Sequence, residues 1–357
     1  MYRNAAVAVL MTAISTVIAA PLQAQTTVLL DLPLESQRAQ VMQKIGITNI
    51  SITYYRPRAK GRKIWGWLEP YGTVWRAGAN ENTTFEVSDP VTVEGKPLSK
   101  GIYGLHMIPG ENEWIVIFSK RANAWGSFTY DPAEDALRVN VKPQPTDMHD
   151  TLTYDFEDPT SASVAVTMRW EKVAVPFKIA VNTNEIVQAS LRDQQLRSRL
   201  QYFWSSWNDA ATYLLDNKLS PQDALTYADK SLQLEERFDN LITKARALER
   251  LNREEEAITV RNKALAMGNA IQLNSYGRRL QLEGRQNEAF DIFRNNIQKN
   301  PDHWVAHYES ARIASAQGDF DGAMKEMKLA LAGAPDSQRS PLESLIKRLE
   351  AKEDINR

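Results

Sequence analysis

Val164-Ala-Val-Thr-Met-Arg-Trp-Glu-Lys-Val-Ala-Val-Pro-Phe-Lys-Ile-Ala-Val-Asn-Thr-Asn-Glu-Ile-Val187 is the stretch on which the reading of this chain turns. Val164, Val166, Met168 and Trp170 alternate with smaller or polar residues, and Val175, Phe177, Ile179 and Val181 repeat the pattern. Period-two alternation of this kind marks a strand with one face in a core. Beyond Thr183 the alternation stops, and apolar residues recur with the 3.6-residue spacing of a helix. The chain therefore changes grammar here, and the two sides read as separate domains.

Upstream, from about residue 26 to 183, further stripes precede this one. Ile50, Ile52 and Tyr54 share a face, as do Trp114, Val116 and Phe118. Leu137, Val139 and Val141 form another set, and Leu152, Tyr154 and Phe156 another. Glu94-Gly95, Lys100-Gly101, Pro109-Gly110, Asp131-Pro132 and Asp158-Pro159 separate them as turn signals. About nine short strands so punctuated predict an all-β antiparallel sandwich or barrel.

Downstream, the region 186–353 repeats itself. Ala289 and Ala323 stand 34 residues apart, as do Pro301 and Pro335, and Gly284 and Gly318 each precede the alanine by five. A glycine suits the left-handed residue that ends a first helix, and a small alanine lets the second helix approach. Phe293 and Met327, one turn later, should fill the seam between the helices. Asn252 with Ala257, and Leu219 with Ala224, keep the same offset. The pattern resembles tetratricopeptide repeats, about four degenerate units over Ser205–Pro335, with Leu342–Leu349 as a capping helix. Trp204, Trp207 and Trp304 stand where that family carries a large aromatic residue. Such an all-α solenoid implies a protein or peptide partner.

The rest of the composition narrows function by exclusion. A chain of 357 residues with 43% hydrophobic and 24% charged side chains is globular and long enough for two cores. Its net charge is −1, and the balance holds locally: residues 25–185 carry 17 basic and 19 acidic side chains, and residues 186–357 carry 25 of each. Neither half offers the basic surplus that nucleic acid demands. Without cysteine there is no disulfide, thiolate metal site, thiol nucleophile or lipid attachment through sulfur. Residues 1–24 read as a signal peptide, with Arg3 ahead of the apolar run Ala5–Ala20 and small residues up to Ala24. The expected product is periplasmic or secreted, with no transmembrane span in the mature chain.

The first half also carries strings more particular than strand patterning. They are Ser36-Gln-Arg-Ala-Gln-Val-Met-Gln-Lys-Ile-Gly46, Tyr55-Arg-Pro-Arg-Ala-Lys-Gly-Arg-Lys-Ile-Trp-Gly66 and Pro70-Tyr-Gly-Thr-Val-Trp-Arg-Ala-Gly-Ala-Asn-Glu-Asn-Thr-Thr84. Lys100-Gly-Ile-Tyr-Gly-Leu-His106, Ile108-Pro-Gly110, Glu113-Trp-Ile-Val-Ile-Phe-Ser-Lys120 and Trp125-Gly126 follow. Together they resemble the domain of unknown function 2911 (DUF 2911) over about residues 32–181. Gln37 departs from the pattern, which usually has proline there. The resemblance implies an exported bacterial protein, sometimes with helical repeats behind the domain, and no agreed reaction.

Candidate sites come from polar clusters. Trp75, Arg76, Asn80 and Glu81 combine an aromatic face, a guanidinium, an amide and a carboxylate, a set that can bind a carbohydrate or another small polar ligand. The alternative is an Arg76–Glu81 ion pair pinning a loop. His106, on a strand, joins them as a binding or acid–base candidate, facing away from the apolar side near Arg76, and Glu81 is the other catalytic candidate. A single carboxylate cannot run glycoside hydrolysis; Glu69 and Asp131 are possible partners. Arg56, Arg58, Lys60, Arg62 and Lys63 form either an anion site or a solvated loop. His149 is placed in a loop, with no third metal ligand in view. His303 and His307 have the spacing of zinc ligands but lack the metalloprotease glutamate, and no metal or cofactor is expected. Trp65, Trp67, Trp75 and Tyr71 are expected mainly in the core. The resulting expectation is a non-enzymatic binding or scaffold protein, with a ligand-binding or enzymatic β domain as the alternative.

Overall fold

In a computed structural model the described residues are 32–356; the signal sequence lies outside them. Among the described residues ten strands form two antiparallel sheets. The first sheet contains β1 (Gln37–Ile45), β2 (Thr48–Arg56), β3 (Thr83–Val87), β6 (Gly101–Ile108), β7 (Trp114–Ser119) and β8 (Asp135–Val141), in the order β1-β2-β3-β6-β7-β8. The second contains β4 (Val91–Val93), β5 (Lys96–Leu98), β9 (Gln144–Glu157) and β10 (Ser163–Ala180), in the order β5-β4-β10-β9.

The stripes read from sequence are the inner faces of these sheets. Ile50, Ile52, Tyr54, Trp114, Val116, Phe118, Leu152 and Tyr154 are all buried in one core. β10 is one long strand rather than two. Its buried large apolar residues are even-numbered from Val164 to Trp170, and from Val175 on to Val181, just past its end, they are odd-numbered. The change falls at an irregularity around Glu171, which has φ +55° and where the pairing with β9 shifts register. A bulge re-aims the strand, so both stripes reach the same core. Trp65 anchors the centre edge-on to Trp75, Trp114 and Trp170, with ring centroids 5.4, 4.6 and 5.6 Å away.

Helix α1 (Thr183–Asp193) follows, with the Asn182 side chain accepting from the Glu185 N–H. The repeat array then consists of α2 (Trp204–Asp216) with α3 (Pro221–Leu234), α4 (Phe238–Arg250) with α5 (Glu254–Met267), α6 (Ala270–Leu282) with α7 (Gln286–Lys299), and α8 (Trp304–Ala316) with α9 (Phe320–Gly333). Helix α10 (Asp336–Glu350) covers the end. Ala224, Ala257, Ala289 and Ala323 have no exposed surface, as their role in the seam requires. The seam residues Phe293 and Met327 are equally buried.

Each first helix ends in the same way. The N–H groups of Leu219, Arg253, Arg285 and Asp319 reach back to the carbonyls of Leu214, Leu248, Leu280 and Ala314 at 2.8–3.0 Å. A left-handed residue precedes each donor: Lys218, Asn252, Gly284 and Gly318. In the first unit that residue is Lys218, one position earlier than the five-residue offset predicts. The loop there is longer, with Ser220 capping α3 and Pro221 at its first turn.

Ion pairs run across the first helices. Asp216 of α2 accepts from Arg246 of α4 at 2.6 Å and from Arg279 of α6 at 2.5 Å. No helix among the described residues is long and apolar enough to cross a membrane.

Candidate functional site

The connection between β2 and β3, residues 57–82, is far longer than the roughly 4–6 residues usual between elements. It is held in a single shape from inside. The Ala77 carbonyl accepts from the Tyr154 hydroxyl at 2.8 Å and from Thr83 Oγ1 at 3.1 Å, while Trp75 Nε1 donates to the Gly78 carbonyl at 3.2 Å. Ala77 and Asn80 both have positive φ, +52° and +56°. Left-handed backbone at a buried alanine is strained and persists only where its surroundings over-determine it. Here the strain aims Arg76 outward.

Arg76 lines a cavity of about 590 Å³ together with Arg58, Lys60, Arg62, Glu69, Asn80, Trp125 and Phe128. Its Nη1 donates to the Asn80 carbonyl at 2.7 Å, and its guanidinium lies 5.5 Å from the centre of the Phe128 ring. Gly126 permits this placement, because a Cβ there would stand 2.9 Å from Arg76 Nη1. Trp125 and Phe128 are 60% and 80% exposed, aromatic faces offered to solvent at the cavity wall. Burial pushes the Glu69 carboxyl up to about 7, against the opposing pull of Arg76.

The five candidates separate into three sets. Arg76 and Asn80 face this cavity. Glu81 lines a neighbouring cavity of about 380 Å³ with Arg38, Tyr55 and Asn82, and Trp125 borders both. The Tyr55 hydroxyl donates to Glu81 at 3.2 Å, and Arg76 bonds to the Asn80 carbonyl, so neither contact is the Arg76–Glu81 ion pair considered from sequence.

Trp75 and His106 are interior residues. Trp75 stacks on Trp170 at 5.8 Å. His106 is 2% exposed, with Nδ1 2.9 Å from Ser127 Oγ and its ring 5.2 Å from that of Tyr130. Burial pulls its pKa down to about 4, only partly countered by Asp135, so near neutral pH the imidazole is uncharged. The aromatic residues that do meet solvent at the cavity, Trp125 and Phe128, were not among the sequence candidates. Trp125 stood only in a family string, and a lone aromatic in a turn gives no periodic signal.

The basic run is largely engaged. Arg58 pairs with Asp150 at 2.7 Å, Lys60 pairs with Glu35, and Arg56 donates to the Leu152 carbonyl at 3.2 Å. Arg62 donates to the carbonyls of Ala59 and Arg58, at 3.0 and 2.6 Å. Trp65 and Trp75 are core residues, whereas Trp67 and Tyr71 are exposed.

His149 is on β9 opposite Glu171 rather than in a loop. His303 accepts from the Val305 N–H at the start of α8, and His307 meets Glu326 at 2.7 Å. Among the described residues no three histidine or acidic side chains gather as a metal site.

A larger cavity, about 1080 Å³, lies away from all these groups. It runs between α1 and the β4–β5 edge, lined by Val91, Pro97, Val181, Ile186 and Ala189 among others.

Comparison with known proteins follows this division. Residues 36–179 match the family described as protein of unknown function (DUF2911), and residues 280–349 match a tetratricopeptide repeat model. A tetratricopeptide repeat and J domain-containing co-chaperone of Cryptococcus neoformans var. grubii is 36% identical over 63 residues, which is 18% of this chain and 12% of the co-chaperone. Among solved structures, the Cut9–Hcn1 hetero-tetramer is matched at 14% identity with a TM-score of 0.30, over 48% of this chain and 33% of that one. A tetratricopeptide repeat protein from Parabacteroides merdae is matched at 17% identity with a TM-score of 0.28, over 48% and 69%. The chain thus spans about an eighth of the curated relative and a third of the first of these structures. Its β half matches the DUF2911 family model over residues 36–179, and a tetratricopeptide repeat match follows it.

Proposed function

We propose that this is an exported, non-enzymatic binding protein of the cell envelope that uses its helical repeats to hold a protein or peptide partner. The observation that carries this reading is the linked row of first helices. Asp216 ties α2 to α4 and α6, and Asn274 of α6 donates to Glu309 of α8 at 3.0 Å. Stacked repeats of this kind present one extended surface, and protein contact is its common use. Export rests on residues 1–24 alone.

The first prediction is that the chain, used as bait in an envelope extract, enriches a defined partner under mild wash conditions. An empty pull-down counts against the reading. N-terminal sequencing of the protein from the periplasmic fraction or medium should begin near Gln25. A chain that keeps Met1 would remove cleavage of the leader, and its absence from both fractions would remove export.

A second reading concerns the β domain. Arg76 is set in a strained loop beside Asn80, Glu69 and the exposed faces of Trp125 and Phe128. That combination suits a small polar or anionic ring, a carbohydrate among them, with the aromatic faces supplying contact area and the guanidinium orientation. A thermal-shift screen against glycans and small acids tests it, since a ligand that binds only the folded state raises the midpoint. An Arg76→Ala chain should lose any shift the parent shows.

A further inference from the structure

Beyond α10 the chain reverses at Lys352, which has φ +53°, and residues 354–356 run into the row of first helices. Ile355 is 2% exposed and sits in a cluster with Ala311, Met327, Leu342 and Leu349. Its N–H donates to Ser315 Oγ at 3.1 Å, and its carbonyl accepts from Arg312 Nη1 at 3.0 Å. The Asn356 carboxamide is held at both ends. Nδ2 donates to the Arg312 carbonyl at 2.8 Å, and Oδ1 accepts from Gln281 Nε2 at 2.8 Å and from Arg312 Nη1 at 3.3 Å. Asp354 Oδ1 accepts from Ser315 Oγ at 3.2 Å. Arg348 of α10 donates to the Asp354 carbonyl at 2.7 Å. Three consecutive residues are thus read, backbone and side chain alike, by Gln281 on α6 and by Arg312 and Ser315 on α8.

Arg312 makes the groove selective. Arg312 is 3% exposed, and its guanidinium stacks 4.7 Å from the Tyr308 ring centre. No carboxylate among the described residues pairs with it, and its Nε has no acceptor. A buried cation without an anion needs acceptor oxygens from whatever fills the groove. Here they come from a peptide carbonyl and a carboxamide. The occupant has one apolar anchor, Ile355, and the preceding Ala351, Lys352 and Glu353 are exposed. The segment is therefore held by polar contacts around a single buried apolar side chain, Ile355.

We propose that the α6–α8 face is the solenoid's peptide-binding site and that Asp354-Ile355-Asn356 occupies it in cis. The partner it fits is an extended segment with an acidic, an aliphatic and a carboxamide residue in succession, which displaces the chain's own. This inference rests on the reading of the repeats as a peptide-contact surface.

The test is fluorescence anisotropy with a labelled peptide of residues 352–357, added to the full chain and to a full-length Ile355→Asp chain whose own segment is expelled. The Ile355→Asp chain should bind the peptide at least tenfold more tightly than the parent. Adding Arg312→Gln should weaken that binding at least tenfold. Equal affinity of parent and Ile355→Asp chains, or no saturable binding by an Ile355→Asp chain of unchanged helical content, overturns the inference. If Ile355→Asp lowers helical content, Asn356→Ala is used in its place and read by the same criteria. The two readings fail separately. Peptide exchange without any envelope partner removes the partner reading and leaves the site. A partner captured equally by parent and expelled-segment chains, with no peptide exchange, removes the site and leaves the partner.

Discussion

Glu309 is a carboxyl with no exposed surface, accepting from Asn274 at 3.0 Å and Asn296 at 2.9 Å while its second oxygen has no partner. Burial raises its pKa from 4.5 to about 7, and the two amides only partly offset this. The folded state therefore holds a proton that the unfolded state releases. Its stabilising effect is complete below about pH 4.5 and is lost as pH rises through about 7. Glu309→Gln keeps an acceptor for both amides and cannot ionise. It should raise stability at pH 8 by up to about 3 kcal/mol, at 1.36 kcal/mol per pKa unit, and by little at pH 4. Urea melts at the two pH values check this, and equal gains at both would reject it. His106 has the opposite sign. Its depressed value means that stability present above about pH 6.5 is lost as pH falls through about 4. An NMR titration should find its imidazole still neutral at pH 5.5.

At the scale of elements, the repeat units show how backbone and packing share the work. The turn after each first helix needs a left-handed residue, and only two of the four are glycine. Lys218→Gly should therefore stabilise, and Gly318→Ala destabilise, each by about 1 kcal/mol or less, because a Cβ is unfavourable in that conformation. Thermal melts of the two variants should move in opposite directions. Gly277 is different in kind. A Cβ there would lie 2.3 Å from Cε1 of the fully buried Phe293, so Gly277→Ala must push a core ring aside. The expected loss is about 1–3 kcal/mol. The alanines and glycines of these units were legible in sequence because one geometry recurs at a near-constant interval. The β half was legible wherever one strand face is buried. β1 was not, since its residues 37–44 are only exposed or half-buried at a sheet edge and give only a faint stripe. The short β4 and β5, three residues each, are too brief for periodicity to register.

At the scale of the molecule, what sequence could and could not convey about the candidate site has one cause. Arg76 and Asn80 reach their cavity because a strained loop is pinned by Tyr154, a residue far along the chain. Proximity in sequence put Trp75 and Glu81 in the same cluster, yet the loop turns Trp75 into the core and Glu81 into the next cavity. His106 was expected opposite the apolar face. It does face opposite the core residues Tyr103, Leu105 and Met107, but the turn carrying Ser127 and the ring of Tyr130 cover it, which strand alternation cannot foresee. The irregularity at Glu171 has a similar long reach. Because β10 changes parity there, Val181 points inward where the strand ends, and α1 begins two residues later. One residue inserted between Val175 and Val181 would invert that phase and send the helical half off from the opposite side of the sheet. The same insertion between Glu171 and Val173 falls where the ladder is already broken. A kink in the middle of one strand thus sets the bearing of everything that follows it.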